Sequence, residues 1–126
     1  MSSVAVNLRQ ALDTIPDDQP FSLLGHHRCD EESMVGVITI HNTRPDGSWE
    51  RHPRGDELLV ILDGRMTMRV RQPDGALLAH ELAPGHALLI PRGLPHTATL
   101  HTPSIKVLFV TPRYGTEEWV EPVPAG

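Results

Sequence analysis

A single cysteine, Cys29, among 126 residues excludes an intrachain disulfide and sets the expectation of a reducing, cytoplasmic location. No apolar run approaches the roughly 18 to 20 residues needed to cross a membrane as a helix. Residues 1–7 lack the basic-then-apolar order of a secretory signal. Basic residues are in deficit, eleven Lys and Arg against sixteen Asp and Glu for a net charge of −5. That balance argues against nucleic acid or an anionic membrane as partner, because either demands a basic surface. No G-x-S-x-G surrounds Ser22, Ser33 or Ser48, and neither G-x-x-x-x-G-K nor G-x-G-x-x-G occurs. Serine hydrolysis and nucleotide-phosphate chemistry therefore find no support. Cys29 lies in the polar stretch Arg28-Cys29-Asp30-Glu31-Glu32, without the surroundings of a nucleophile. Repeats, low-complexity tracts and linkers are absent too.

What is present is punctuation. Ten glycines and twelve prolines divide the chain into short apolar runs, and 39% apolar composition is enough for one modest core. One segment has helical spacing. Asn7 is placed to cap it, Leu8, Ala11, Leu12 and Ile15 form one apolar face, and Pro16 ends it, giving a short helix over about 7–15. From there on, strands are predicted at Phe21–His27, Met34–Asn42, Trp49–His52, Glu57–Leu62, Arg65–Arg71, Ala76–Leu82, Ala87–Ile90, His96–His101 and Ile105–Thr111. Turn signals separate them: Pro45-Asp46-Gly47, Asp63-Gly64, Pro73-Asp74-Gly75, Pro84-Gly85 and Pro91-Arg92-Gly93. The pattern is that of an all-β sandwich or barrel in one domain, residues 1–126, with a barrel core over about 21–112. The tail from Tyr114 carries Trp119 and is expected to pack, without a visible place to do so.

Asp63-Gly64 suits a two-residue hairpin turn. The implied register sets Ile61 opposite Met66, Leu59 opposite Met68 and Glu57 opposite Val70. One face is then apolar except for Glu57, and a carboxylate lining a core costs several kcal/mol without a partner or a metal. Leu58, Val60 and Leu62 would share the other face with Arg65, Arg69 and Arg71, as a dimer interface or as arginine stems covering apolar surface. Upstream, Glu50 and His52 are two apart on an extended strand and point the same way. Pro91-Arg92-Gly93 turns the chain so that His96 opens a new strand. Convergence of such N and O donors inside a barrel suits a divalent transition metal.

The spacing His52-x4-Glu57-x6-Gly64 resembles the later part of the first cupin motif, G-x5-H-x-H-x3–4-E-x6-G. Gly85-x5-Pro91-x-Gly93-x2-His96 resembles the second, G-x5-P-x-G-x2-H-x3-N. The resemblance runs over about residues 34–111, with the lead-in Val6-Asn7-Leu8, and implies a double-stranded β-helix, the jelly-roll barrel of the cupins. It also implies one divalent ion (Zn, Mn, Fe or Ni) held by His52, Glu57 and His96. Three positions depart from the motifs. Glu50 stands where the first histidine of the H-x-H pair belongs, Leu100 where the closing Asn belongs, and Arg44 where the opening Gly belongs. Glu50 is either the fourth ligand or a catalytic acid/base. The other reading is that His52, Glu57 and His96 are satisfied polar groups in a barrel that has lost its metal, and that Glu50 is an exposed carboxylate paired with Arg51 or Arg54.

The function the resemblance implies is metal-assisted chemistry on a small organic molecule, of dioxygenase, isomerase, cyclase or lyase type, in a homodimer. The alternative is a non-catalytic cupin module that binds or senses a small ligand, although no helix-turn-helix accompanies it. His26, His27, His41, His80, His86 and His101 have no motif spacing and no assigned role. Met66 and Met68 are expected as core and pocket lining.

Overall fold

The computed structural model describes residues 1–124, and these form two antiparallel five-stranded sheets packed face to face. The elements are β1 (Val4–Asn7), α1 (Leu8–Asp13), β2 (Ser33–His41), β3 (Ser48–Arg51), β4 (Glu57–Asp63), β5 (Met66–Arg71), β6 (Leu77–Leu82), β7 (His86–Ile90), β8 (His96–Leu100), β9 (Ser104–Pro112) and β10 (Glu117–Val120). One sheet has the order β1-β7-β4-β9-β2 and the other β10-β3-β8-β5-β6. This is the all-β jelly-roll architecture expected from the sequence, with the short N-terminal helix. The glycines of all five predicted turns take positive φ. Between the sheets lies a core that includes Leu59, Ile61, Met66, Met68, Val70, Leu88, Ile105 and Val107.

Five expectations are corrected. Asp63-Gly64 does not close a hairpin: β4 pairs with β7 and β9, and β5 pairs with β6 and β8. The turn instead carries the chain from one sheet to the other. A Cβ on Gly64 would lie 2.5 Å from the Ser104 carbonyl, so this crossing admits only glycine. The inward face was nonetheless right, since Glu57, Leu59, Ile61, Met66, Met68 and Val70 all point into the core. They meet across the sandwich rather than along a ladder. The outward residues sort by partner strand. Leu58 and Val60 lie beside Val110 and Leu108, whereas Arg69 lies beside Thr97 and hydrogen-bonds Thr99. The mixed apolar and arginine surface therefore does not exist, because its two halves are on opposite outer faces.

The helix is shorter than predicted and buries no residue, with Leu12 57% exposed. Its cap is as expected, the Asn7 side chain accepting from the Gln10 backbone N–H at 3.0 Å. Phe21–His27 forms no strand. Its Leu24–His27 part lies against the outer surface of Val4, Leu58 and Leu89. The Asp56 carboxylate accepts from the Arg28 and Arg92 backbone N–H groups, which anchors this segment without a ladder. Finally, two four-residue strands were unforeseen. β1 lies along β7, and β10 lies along β3, where Trp119 stacks on Trp49 at 6.4 Å and Trp49 Nε1 donates to the Glu121 carbonyl. The tail thus packs as an edge strand.

Candidate metal centre

β3, the loop after it, β4 and β8 each bring one side chain to a common point. Glu50 is directly across from His96 in the β3–β8 ladder, and Glu57 is the first residue of β4. His52 follows β3 by one residue, and the turn at Gly93 hydrogen-bonds its carbonyl at 3.0 Å, tying the segment before His96 to it. The four residues expected from spacing are therefore all brought together, each offering one donor atom within 4.8 Å of the others. His52, Glu57 and His96 are buried, while the Glu50 side chain keeps 33% of its exposure.

Distances within the group are short. His52 Nε2 lies 3.1 Å from Glu57 Oε2 and 3.5 Å from Glu50 Oε1. His96 Nε2 lies 3.2 Å from Glu50 Oε1 and 3.3 Å from Glu57 Oε1. Metal–ligand bonds of about 2.1 Å would set donor atoms roughly 3 to 4 Å apart, which is the spacing found. Each ring is fixed through its other nitrogen. His52 Nδ1 is 2.9 Å from Thr116 Oγ1, and His96 Nδ1 is 3.0 Å from the Leu94 carbonyl. An Nδ1–H that donates to Leu94 leaves the His96 Nε2 lone pair facing the group. Thr111 Oγ1 donates to Glu57 Oε2 at 2.7 Å. Three buried side-chain atoms among the described residues have no hydrogen-bond partner: His27 Nε2, outside the group, and His52 Nε2 and Glu57 Oε1 within it, in ion-pair reach but not aligned. Such orphaned donor atoms fit a bound cation.

Charge tells the same story. Burial opposes charging of His52, but its short contacts to Glu50 and Glu57 outweigh that and push the ring up to about 9. The same balance raises His96 to about 10. Burial would raise Glu57, yet the two imidazoles hold it down at about 2. Contacts from His52 and His96 hold the Glu50 carboxyl well below the usual carboxylate range. Two protons on the rings neutralise the two carboxylates, and one divalent ion in their place keeps the same balance.

The group opens onto a cavity of about 630 Å³ between the sheets, which Glu50, Glu57 and His96 help to line. Met66 and Met68 line it too, as expected. Sequence reasoning missed Thr111 and Thr116, for which no spacing signal exists. Of the remaining histidines, His41 reaches the cavity rim, His80 contacts Ser3, His101 contacts Thr67 and His86 Nδ1 accepts from the Ala83 N–H. Neither they nor Cys29 joins the cluster.

Solved structures share this architecture. Acireductone dioxygenase from Bacillus anthracis, with a cadmium ion in its active centre, is 22% identical, with a TM-score of 0.52 over 62% of this chain and 50% of that one. Hydroxypropylphosphonic acid epoxidase from S. wedmorenis is 23% identical, with a TM-score of 0.52 over 63% and 42%. Oxalate decarboxylase OxdC from Bacillus subtilis is 15% identical, with a TM-score of 0.54 over 68% and 23%. The matched part is half or less of each of those chains, and at such identities the likeness is one of fold. No curated protein matches the chain. No described helix is long and apolar enough to cross a membrane. The model of the Cupin domain matches residues 36–111, well over half the chain, and so this protein belongs to the cupin family.

Proposed function

We propose that this cupin is a metal-dependent enzyme acting on a small organic molecule in its barrel, with Glu50, His52, Glu57 and His96 holding one divalent ion. The observation that carries this reading is the convergence of four buried or half-buried donors, three of which, His52, His96 and Glu57, have their other polar atom engaged by Thr116, Leu94 and Thr111. When bound, a divalent ion supplies Lewis-acid polarisation of a substrate oxygen or, if redox-active, chemistry with O2. Two imidazoles and two carboxylates suit Mn, Fe, Zn or Ni better than a soft ion. Three of the side chains hold position by burial. Glu50 is the half-buried member on the cavity side, placed to bind the ion or to move a proton to and from a substrate bound beside it. The dioxygenase, epoxidase and decarboxylase activities named for the similar structures are all small-molecule chemistry, which supports the class of reaction by analogy only.

The test is a turnover screen of the metal-loaded protein with enols, catechols and thiols, following oxygen uptake and product masses. Turnover lost on chelation and restored by the ion supports the reading. Saturable ligand binding with no turnover by any loaded form assigns the protein to the non-catalytic binding class instead.

A further inference from the structure

The cavity beyond the metal group is layered, and the layers show what kind of molecule it takes. Inward residues alternate along each strand, so successive layers are about 6.6 Å apart. The first contains Glu50, Glu57, His96 and Thr111. The second is Leu59 beside Phe109 and Met68 beside Ala98, which are ladder partners. The third includes Met66 beside Leu100 and Ile40 beside Ile105. All eight residues of the second and third layers line the cavity, and none carries a side-chain nitrogen or oxygen. An apolar wall thus extends about 13 Å from the carboxylates and imidazoles. Polar side chains line the cavity at its rim, on His41 and in the loop that carries Asn42, Arg44 and Asp46, and beside the first layer, on Thr97 and Glu118.

Two details show that this apolar space is built. Met34 and Ile38, on the cavity side of β2, keep 42% and 46% of their exposure, although inward positions of a sandwich are normally covered. Between them is Gly36, where a Cβ would lie 2.8 Å from the Phe109 ring. The missing side chain lets that ring lie back against β2.

We propose that the ligand of this site is a molecule with one oxygen-bearing head group on a hydrocarbon body, alkyl or aryl, the head at the Glu50–His52–Glu57–His96 group and the body along Leu59, Met68, Ala98 and Phe109. This rests on the metal-centre reading for the head alone; the body rests on the cavity wall. A polar body of the same size would leave its hydrogen-bonding groups unpaired in the second and third layers.

The experiment is calorimetric titration of the zinc-loaded protein with the unbranched aceto-, butano-, hexano- and octanohydroxamates, repeated on the metal-free protein and on Ala98→Leu. Affinity for the loaded protein is expected to rise about two- to fourfold per methylene, fourfold being the factor that ~0.8 kcal/mol gives. The octano-to-aceto ratio is expected to collapse in Ala98→Leu. Acetohydroxamate binding with no gain from chain length in the wild-type protein overturns this inference and leaves the metal centre standing. Equal affinity of the loaded and metal-free protein for every member of the series, with the chain-length gain kept, supports the hydrocarbon body and overturns the metal centre. The wild-type series carries the decision even if Ala98→Leu does not fold.

Discussion

Thr111 donates its hydroxyl to Glu57 Oε2 at 2.7 Å, so one carboxylate oxygen is engaged by β9 and the other, Oε1, is left facing His96. The consequence is a carboxylate whose rotation is fixed before any ion arrives. Removing such an outer partner commonly costs 10- to 100-fold in metal affinity. Thr111→Val keeps the shape and deletes the donor, and we expect about that loss in a competition titration against a chelator. Thr111→Ser should recover most of it. Equal affinity for all three proteins would show that Glu57 needs no such support.

Glu50 differs from its three neighbours in keeping a third of its side-chain exposure. Glu50→Gln retains an oxygen donor but removes a charge. Ion affinity is expected to fall about tenfold or more without being lost. Unchanged affinity with loss of turnover would assign Glu50 to proton transfer and leave three ligands.

The metal-free protein should have a distinctive pH profile. His52 and His96 are raised from 6.5 to about 9 and about 10, so their contribution is complete below 6.5 and is lost as pH rises through those values. Glu57 is lowered from 4.5 to about 2, so its contribution is present above 4.5 and is lost as pH falls toward 2. Calorimetric Tm for the metal-free form is therefore expected to be highest between about pH 4.5 and 6.5 and to decline from pH 7 to 10. Ion binding must displace the two ring protons, so affinity rises over that same interval. A Tm of the metal-free form that climbs between pH 7 and 9 would contradict the ring assignments.

The site was legible in the sequence to the extent that it is local. Glu50 and His52 share a strand side by simple alternation, Glu57 opens an apolar run, and His96 follows the Pro91-Arg92-Gly93 turn, whose glycine is visible as punctuation. Thr111 and Thr116 were not legible, because they reach Glu57 and His52 only through the order of strands in the sheets. The same blindness produced the false hairpin at Asp63-Gly64. Alternation showed which side chains of β4 and β5 face the core, but not that the two strands belong to opposite sheets. Strands β1 and β10, at four residues each, are too short for a periodic signal and exist because β7 and β3 offer them an open edge. Phe21–His27 failed in the opposite way, since its Leu24–His27 part lies on a sheet, not in one, and Phe21 and Leu23 are exposed.

The metal content of the purified protein is the most direct test of the four-residue centre. Elemental analysis after loading and desalting should give one divalent ion per chain, lost from His96→Ala and from Glu57→Ala. Chelation should lower the Tm of the wild-type protein by mass action. No retained ion and no Tm change on chelation, or full occupancy in both variants, would contradict the assignment of Glu50, His52, Glu57 and His96 as its ligands.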